Sequence, residues 1–123
     1  MTDWEIHDVA VQMVRDALIQ RGYNVYSWLG HPNVKPSIWF VGDSSYQEWI
    51  VVKGLRFPQT TSDRPENWKK IVDACADKSP IGHFAWVSVQ MAEQQDIEQE
   101  YPILPLWRGH PLSGIIDGLP WLE

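Results

Sequence analysis

The sequence is short of cysteine, of basic residues and of long apolar runs, and each shortage removes a class of protein. A single cysteine, Cys75, leaves no intramolecular disulfide and no thiolate cluster for zinc, so a reducing, cytoplasmic setting is the default expectation. Ten Lys and Arg stand against sixteen Asp and Glu, and the net charge of −6 works against sequence-independent attraction to nucleic acid or anionic lipid. No apolar stretch approaches the ~20 residues that a bilayer crossing requires. The acidic start Met1-Thr2-Asp3-Trp4-Glu5 lacks the basic flank and apolar run of a secretory signal.

The hydrophobic content is ordinary, at 44% of 123 residues, enough for one domain with a packed core. Eight tryptophans are an excess, and most are expected inside, where their large apolar surface is packed and each N–H finds an acceptor. Ile6, Val9, Ala10, Met13, Val14, Ala17 and Leu18 recur at three- and four-residue spacings, the stripe of an amphipathic helix. Its ends carry signals as well: Thr2-Asp3-Trp4-Glu5 has the form of a capping box, and Gly22 is placed for a left-handed stop.

Tyr23 to Leu29 reads as a strand, and a loop on Gly30, Pro32 and Pro36 follows. Ile38-Trp39-Phe40-Val41 and Gln47 to Lys53 flank the turn residues Gly42-Asp43-Ser44-Ser45, which predicts a hairpin. Asp63-Arg64-Pro65-Glu66 looks like the start of a second helix, with Trp68, Ile71, Val72 and Cys75 on its buried face. Pro80 ends it, and Gly82 to Val89 is a fourth strand. Ile103 to Trp107 is a short fifth strand, 90–100 reads as a solvated helix or a loop, and the Gly- and Pro-rich end as a small hairpin or a packed tail, together an irregular C-terminal extension, residues 90–123, of a core spanning 1–89. Because the third and fourth strands are joined through a helix, they are expected to be parallel, with the two helices on opposite faces of a mixed α/β sheet.

At Pro36-Ser37-Ile38-Trp39-Phe40-Val41, a hairpin turn, and then Trp49-Ile50-Val51-Val52-Lys53, the chain resembles the PD-(D/E)XK nuclease superfamily over roughly residues 4–89. That resemblance implies a restriction-endonuclease-like sandwich with αβββαβ order. In such nucleases a Pro-Asp pair opens one strand, and an acid, any residue and lysine close the next. The acids hold a hard cation that activates water, and the lysine steadies the developing charge. Laid on this chain, Pro36 matches the proline and Lys53 the lysine, but Ser37 and Val51 stand where the two metal-binding acids belong. The acids considered as migrated replacements are Glu5, Asp8 and Glu48. Glu48 lies an odd number of residues from Lys53, which puts the two on opposite faces of a regular strand.

Other constellations have plainer readings. Cys75 with His83 has the residue types of a nucleophile and a base, yet Cys75 completes an apolar stripe and is expected in the core. His7, His31, His83 and His110 have no helical partner at ligand spacing, so no metal and no cofactor is assigned. Lys53, Arg56, Arg64, Lys69 and Lys70 concentrate positive charge and are read as a solvated face, with an anion-meeting groove as the functional alternative. Trp39, Trp49, Trp68 and Trp86 are expected in the core, and Trp4, Trp28, Trp107 and Trp121 to fasten the tail or form a partner patch. Glu93, Asp96, Glu98 and Glu100 form a local acidic run suited to a basic protein surface. The resulting expectation is a catalytically inactive nuclease-like domain that binds a protein partner rather than nucleic acid or membrane. The alternatives are a metal-dependent nuclease with migrated acids, or an acidic inhibitor or immunity-type protein.

Overall fold

The computed structural model describes residues 2–91, 104–107 and 110–122. The first helix, α1 (Asp3–Gln20), begins with the expected capping box. Glu5 N donates to Thr2 Oγ1 at 3.1 Å and Thr2 N donates to Glu5 Oε1 at 2.8 Å, so two end groups satisfy each other. The helix stops at Gly22, whose φ of 91° lets Tyr23 N reach back to Leu18 O at 3.1 Å. Its buried stripe is Ile6, Val9, Ala10, Val11, Met13, Val14 and Leu18; Val11 joins the anticipated set, and Ala17 is only half-buried.

The strands are β1 (Asn24–Trp28), β2 (Ile38–Val41), β3 (Gln47–Arg56), β4 (Gly82–Met91), β5 (Leu104–Trp107) and β6 (His110–Asp117). They form one mixed sheet in the order β1-β2-β3-β4-β6-β5. The β2–β3 hairpin is antiparallel, pairing Ile38 with Ile50 and Val41 with Gln47. Strands β3 and β4 are parallel, with Val51 opposite Phe84 and Lys53 opposite Trp86, as a helical crossover requires.

The crossover helix, α2 (Trp68–Cys75), starts later than the cap-like Asp63-Arg64-Pro65-Glu66 predicts, and its N-cap Asn67 makes no side-chain cap bond. The chain before it is held along the sheet instead. Trp86 Nε1 donates to Thr60 O at 3.0 Å and Ser88 Oγ donates to Gln59 O at 2.9 Å, so this backbone is tied to β4 before it can coil.

The C-terminal segment is not an irregular extension where it is described. β6 pairs antiparallel with β4 from Trp86↔Asp117 to Met91↔Leu112, and so becomes part of the sheet. Beyond it a short 3-10 helix, Pro120–Leu122, lays Trp121 against Tyr23, Phe40 and His83, fastening the tail as one reading of that residue foresaw. The acidic run Glu93, Asp96, Glu98 and Glu100 and the Trp107 side chain lie outside the described residues.

Strand alternation divides the core. Toward α1 point Ile38, Phe40, Ile50, Val52, Ala85, Val87 and Val89, packed on the α1 stripe and on Leu119. Toward α2 point Trp49, Val51 and Phe84, packed on Ile71 and Cys75. Of the four tryptophans expected in the core, only Trp49 is fully enclosed, with Nε1 donating to Ser79 O at 3.1 Å. Trp39, Trp68 and Trp86 are half-buried because the short α2 covers only part of this face. Trp4 and Trp28 are exposed, Trp28 beneath the Arg15 guanidinium at 4.3 Å.

Candidate functional site

Where α2 stops covering the sheet, a cleft of about 630 Å³ opens between the start of α1, the loop before β2, the end of β3 and the connection that precedes α2. Phe84 lines it, and Val51, Lys53 and Gly54 bring β3 to it. The same alternation that points Val51 toward α2 puts Lys53 on that side, two residues on and exposed. The outer wall is a fixed strap, since the hydrogen bonds from Trp86 and Ser88 and the 3.2 Å bond from Phe57 N to Val89 O tie it to β4.

Of the positions that the nuclease resemblance singles out, Val51 and Lys53 line the cleft and Ser37 does not. Ser37 is 2% exposed, and its hydroxyl accepts the Val52 N–H at 3.2 Å while its own N–H donates to Ile50 O at 2.9 Å. The hydroxyl is thus consumed in binding β3 at the entry to β2. Val51, 2% exposed, is held among Trp49, Ile71 and Phe84. Neither residue offers an anionic oxygen.

The structure does not bring the candidate migrated acids to Lys53. Glu5 is engaged in the capping box, and Asp8 accepts a 2.9 Å bond from Gln12 Nε2. Glu48 lies on the opposite face, where it meets His83 Nε2 at 2.8 Å and accepts from Ser44 Oγ at 3.0 Å. The carboxylates that do line the cleft, Asp3, Asp63 and Glu66, were not among the sequence candidates. Asp63 and Glu66 resembled helix-start residues, and the tied connection places them on the rim instead. Asp3 is occupied by Arg56 at 3.0 Å. Among the described residues no group of three or more His, Cys, Asp and Glu side chains is placed to hold a metal ion.

The positive charges divide as well. Lys53 and Arg64 line the cleft together with Lys35, which sequence reasoning had not marked. Arg64 lies over the Trp68 ring at 5.1 Å, while Lys69 and Lys70 stand exposed on α2, away from the cleft lining. His7, one turn into α1, also lines the cleft, and its Nε2 is buried without a hydrogen-bond partner among the described residues. Burial lowers the His7 pKa from 6.5; Asp8 opposes the shift, and Lys35 and His31 add to it. The imidazole is therefore neutral at pH 7.

Cys75 and His83 are separated by the sheet, Cys75 in the α2-side core and His83 beside Phe40 and Trp121 on the other. Burial raises the Cys75 thiol pKa, with Lys78 opposing, so the thiolate needed for nucleophilic attack is disfavoured. No helix among the described residues is long and apolar enough to cross a membrane. A family model described as a domain of unknown function, DUF8840, matches residues 4–121. No curated protein and no solved structure matches the chain.

Proposed function

The chain belongs to the DUF8840 family, and we propose that it is a binding module on a scaffold like that of the PD-(D/E)XK nucleases, with the metal-binding acids missing. One observation carries this reading. At the two positions where such an enzyme places carboxylates, the chain has a serine whose hydroxyl is spent on the Val52 amide and a valine packed in the core, beside a lysine that still faces the cleft. A hydroxyl and an isopropyl group cannot supply the anionic oxygens that a hard cation requires. The β2–β3 hairpin and the parallel β3–β4 pair joined through α2 are in keeping with the scaffold.

Without the cation the cleft can hold but not hydrolyse. The net charge of −6 favours a partner with a basic surface over a nucleic acid, in the reducing cytoplasm that suits one buried thiol. Calorimetric titration with millimolar Mg²⁺ and Mn²⁺ is expected to give no saturable heat, and the purified protein is expected to leave supercoiled plasmid intact. Plasmid nicking that survives repurification and disappears in Lys53→Ala would restore an active nuclease.

A further inference from the structure

The charged groups of the cleft that are not engaged elsewhere are sorted by wall. On the side built from α1, the loop before β2 and β3 stand Lys35 and Lys53, with the neutral His7 ring beside them and Asp3 paired with Arg56. On the strap opposite stand Asp63 and Glu66, and the Arg64 between them is drawn onto the Trp68 ring. None of Lys35, Lys53, Asp63 and Glu66 forms an ion pair with another described residue. Opposite charges that share a cleft without closing on one another leave a gap that a ligand carrying both signs would fill.

We propose that this cleft binds a small zwitterion, its oxyanion held by Lys35, Lys53 and His7 and its ammonium group by Asp63 and Glu66. The proposal rests on the reading of this cleft as a binding site. Its volume, about 630 Å³, is in the range of small-molecule sites, roughly 300–1,000 Å³. A polyanion would meet Asp63 and Glu66 as well as the chain's charge of −6, whereas the ammonium group of a zwitterion offsets part or all of its oxyanion's charge and pairs with those two carboxylates. The neutral His7 ring lines the cleft beside the two lysines, and a turn of the ring toward the oxyanion would give its buried, otherwise unsatisfied Nε2 a hydrogen-bond partner. The strap is tied to β4 at Gln59 and Thr60, shortly before the acidic wall begins.

The test is a titration of the full chain followed by amide and imidazole NMR. The probes are O-phosphoethanolamine and β-alanine, which place an ammonium group opposite a phosphate or a carboxylate, with inorganic phosphate and ethanolamine as the halves of the first and propionate and ethylamine as those of the second. One zwitterion is expected to shift the Gly54, Thr61 and Ser62 amides saturably and to bind at least about tenfold more tightly than either half. Which zwitterion does so identifies the oxyanion as phosphate or carboxylate. His7 is expected to titrate at higher pH in the complex, because an adjacent oxyanion favours the imidazolium. Lys53→Ala and Asp63→Asn should each weaken binding about tenfold, and Lys53→Arg should largely keep it. Inorganic phosphate binding as well as O-phosphoethanolamine would overturn the proposal, as would saturable shifts confined to another surface or no shift with any probe. If the probes fail in a protein that also leaves plasmid intact, the zwitterion site falls and the binding-module reading stands. Plasmid nicking removes that reading itself.

Discussion

The two faces of the sheet are covered by helices of unequal length, 18 residues in α1 and eight in α2. The long helix contributes seven buried side chains to a core that also takes residues from β2, β3 and β4, while the short one contributes only Ile71 and Cys75. On the α1 side the β3 backbone is approached so closely that a Cβ on Gly54 would lie 2.7 Å from Ile6 O. On the α2 side the sheet is partly roofed by a hydrogen-bonded strap, and the remaining gap is the cleft. A helix that seals its face builds a core and reaches a site only at its end, as α1 does through Asp3 and His7. One that stops early leaves side chains such as Lys53 accessible on a rigid strand.

The comparison can be broken most directly by truncating one buried residue under each helix. Leu18→Ala, at a site with no exposure, is expected to cost about 3–5 kcal/mol. Ile71→Ala, 7% exposed and packed from one side, should cost about 2 kcal/mol. Urea unfolding followed by circular dichroism measures both, and an equal or larger loss at Ile71 would mean that the α2 side is the firmer core.

A smaller effect is expected from Gly54→Ala, which forces the close approach of α1 and β3 apart at an unyielding backbone atom. A loss of about 1–3 kcal/mol should appear in the same unfolding measurement. A neutral result would show that α1 is not pressed onto the sheet there.

The smallest effect concerns pH. Because burial holds the His7 pKa below 6.5, the unfolded chain takes up a proton before the folded one does as the solution is acidified. His7 therefore contributes stability that is present above pH 6.5 and is lost as pH falls through its lowered folded value. His7→Gln should flatten the stability profile across that window, where His7 itself adds a slope of under one proton per molecule. An unchanged slope in the variant would move the acid sensitivity to another group.

Much of the α1 side was legible in advance because its signals are local. A seven-residue stripe, a capping box and a stop glycine lie within 22 consecutive residues, and they define the helix without reference to any neighbour. The β2–β3 hairpin could be read for the same reason, and the parallel pairing of β3 with β4 followed from the helix between them. β6 was not legible. His110–Asp117 contains Pro111, Ser113, Gly114 and Asp117, a composition of turns, and it becomes a strand because β4 offers a free edge. Gly114 also belongs there for a tertiary reason, since a side chain would meet Met13 of α1.

The candidate site divides along the same line. The sequence by itself determined that Lys53 follows an apolar run on a strand and that Glu48 faces away from it; the strand continues past Lys53 to Arg56 because Leu55 is buried as well. Strand alternation is a property of the backbone, so it can be counted along the chain. Only the tertiary structure decided that His7, Lys35, Lys53, Asp63 and Glu66 share one cleft. These residues come from a helix, a loop, a strand and a connection, and no sequence period relates them. What places them together is the short reach of α2 and the tie of the strap to Trp86 and Ser88, contacts formed between segments about 26 to 29 residues apart.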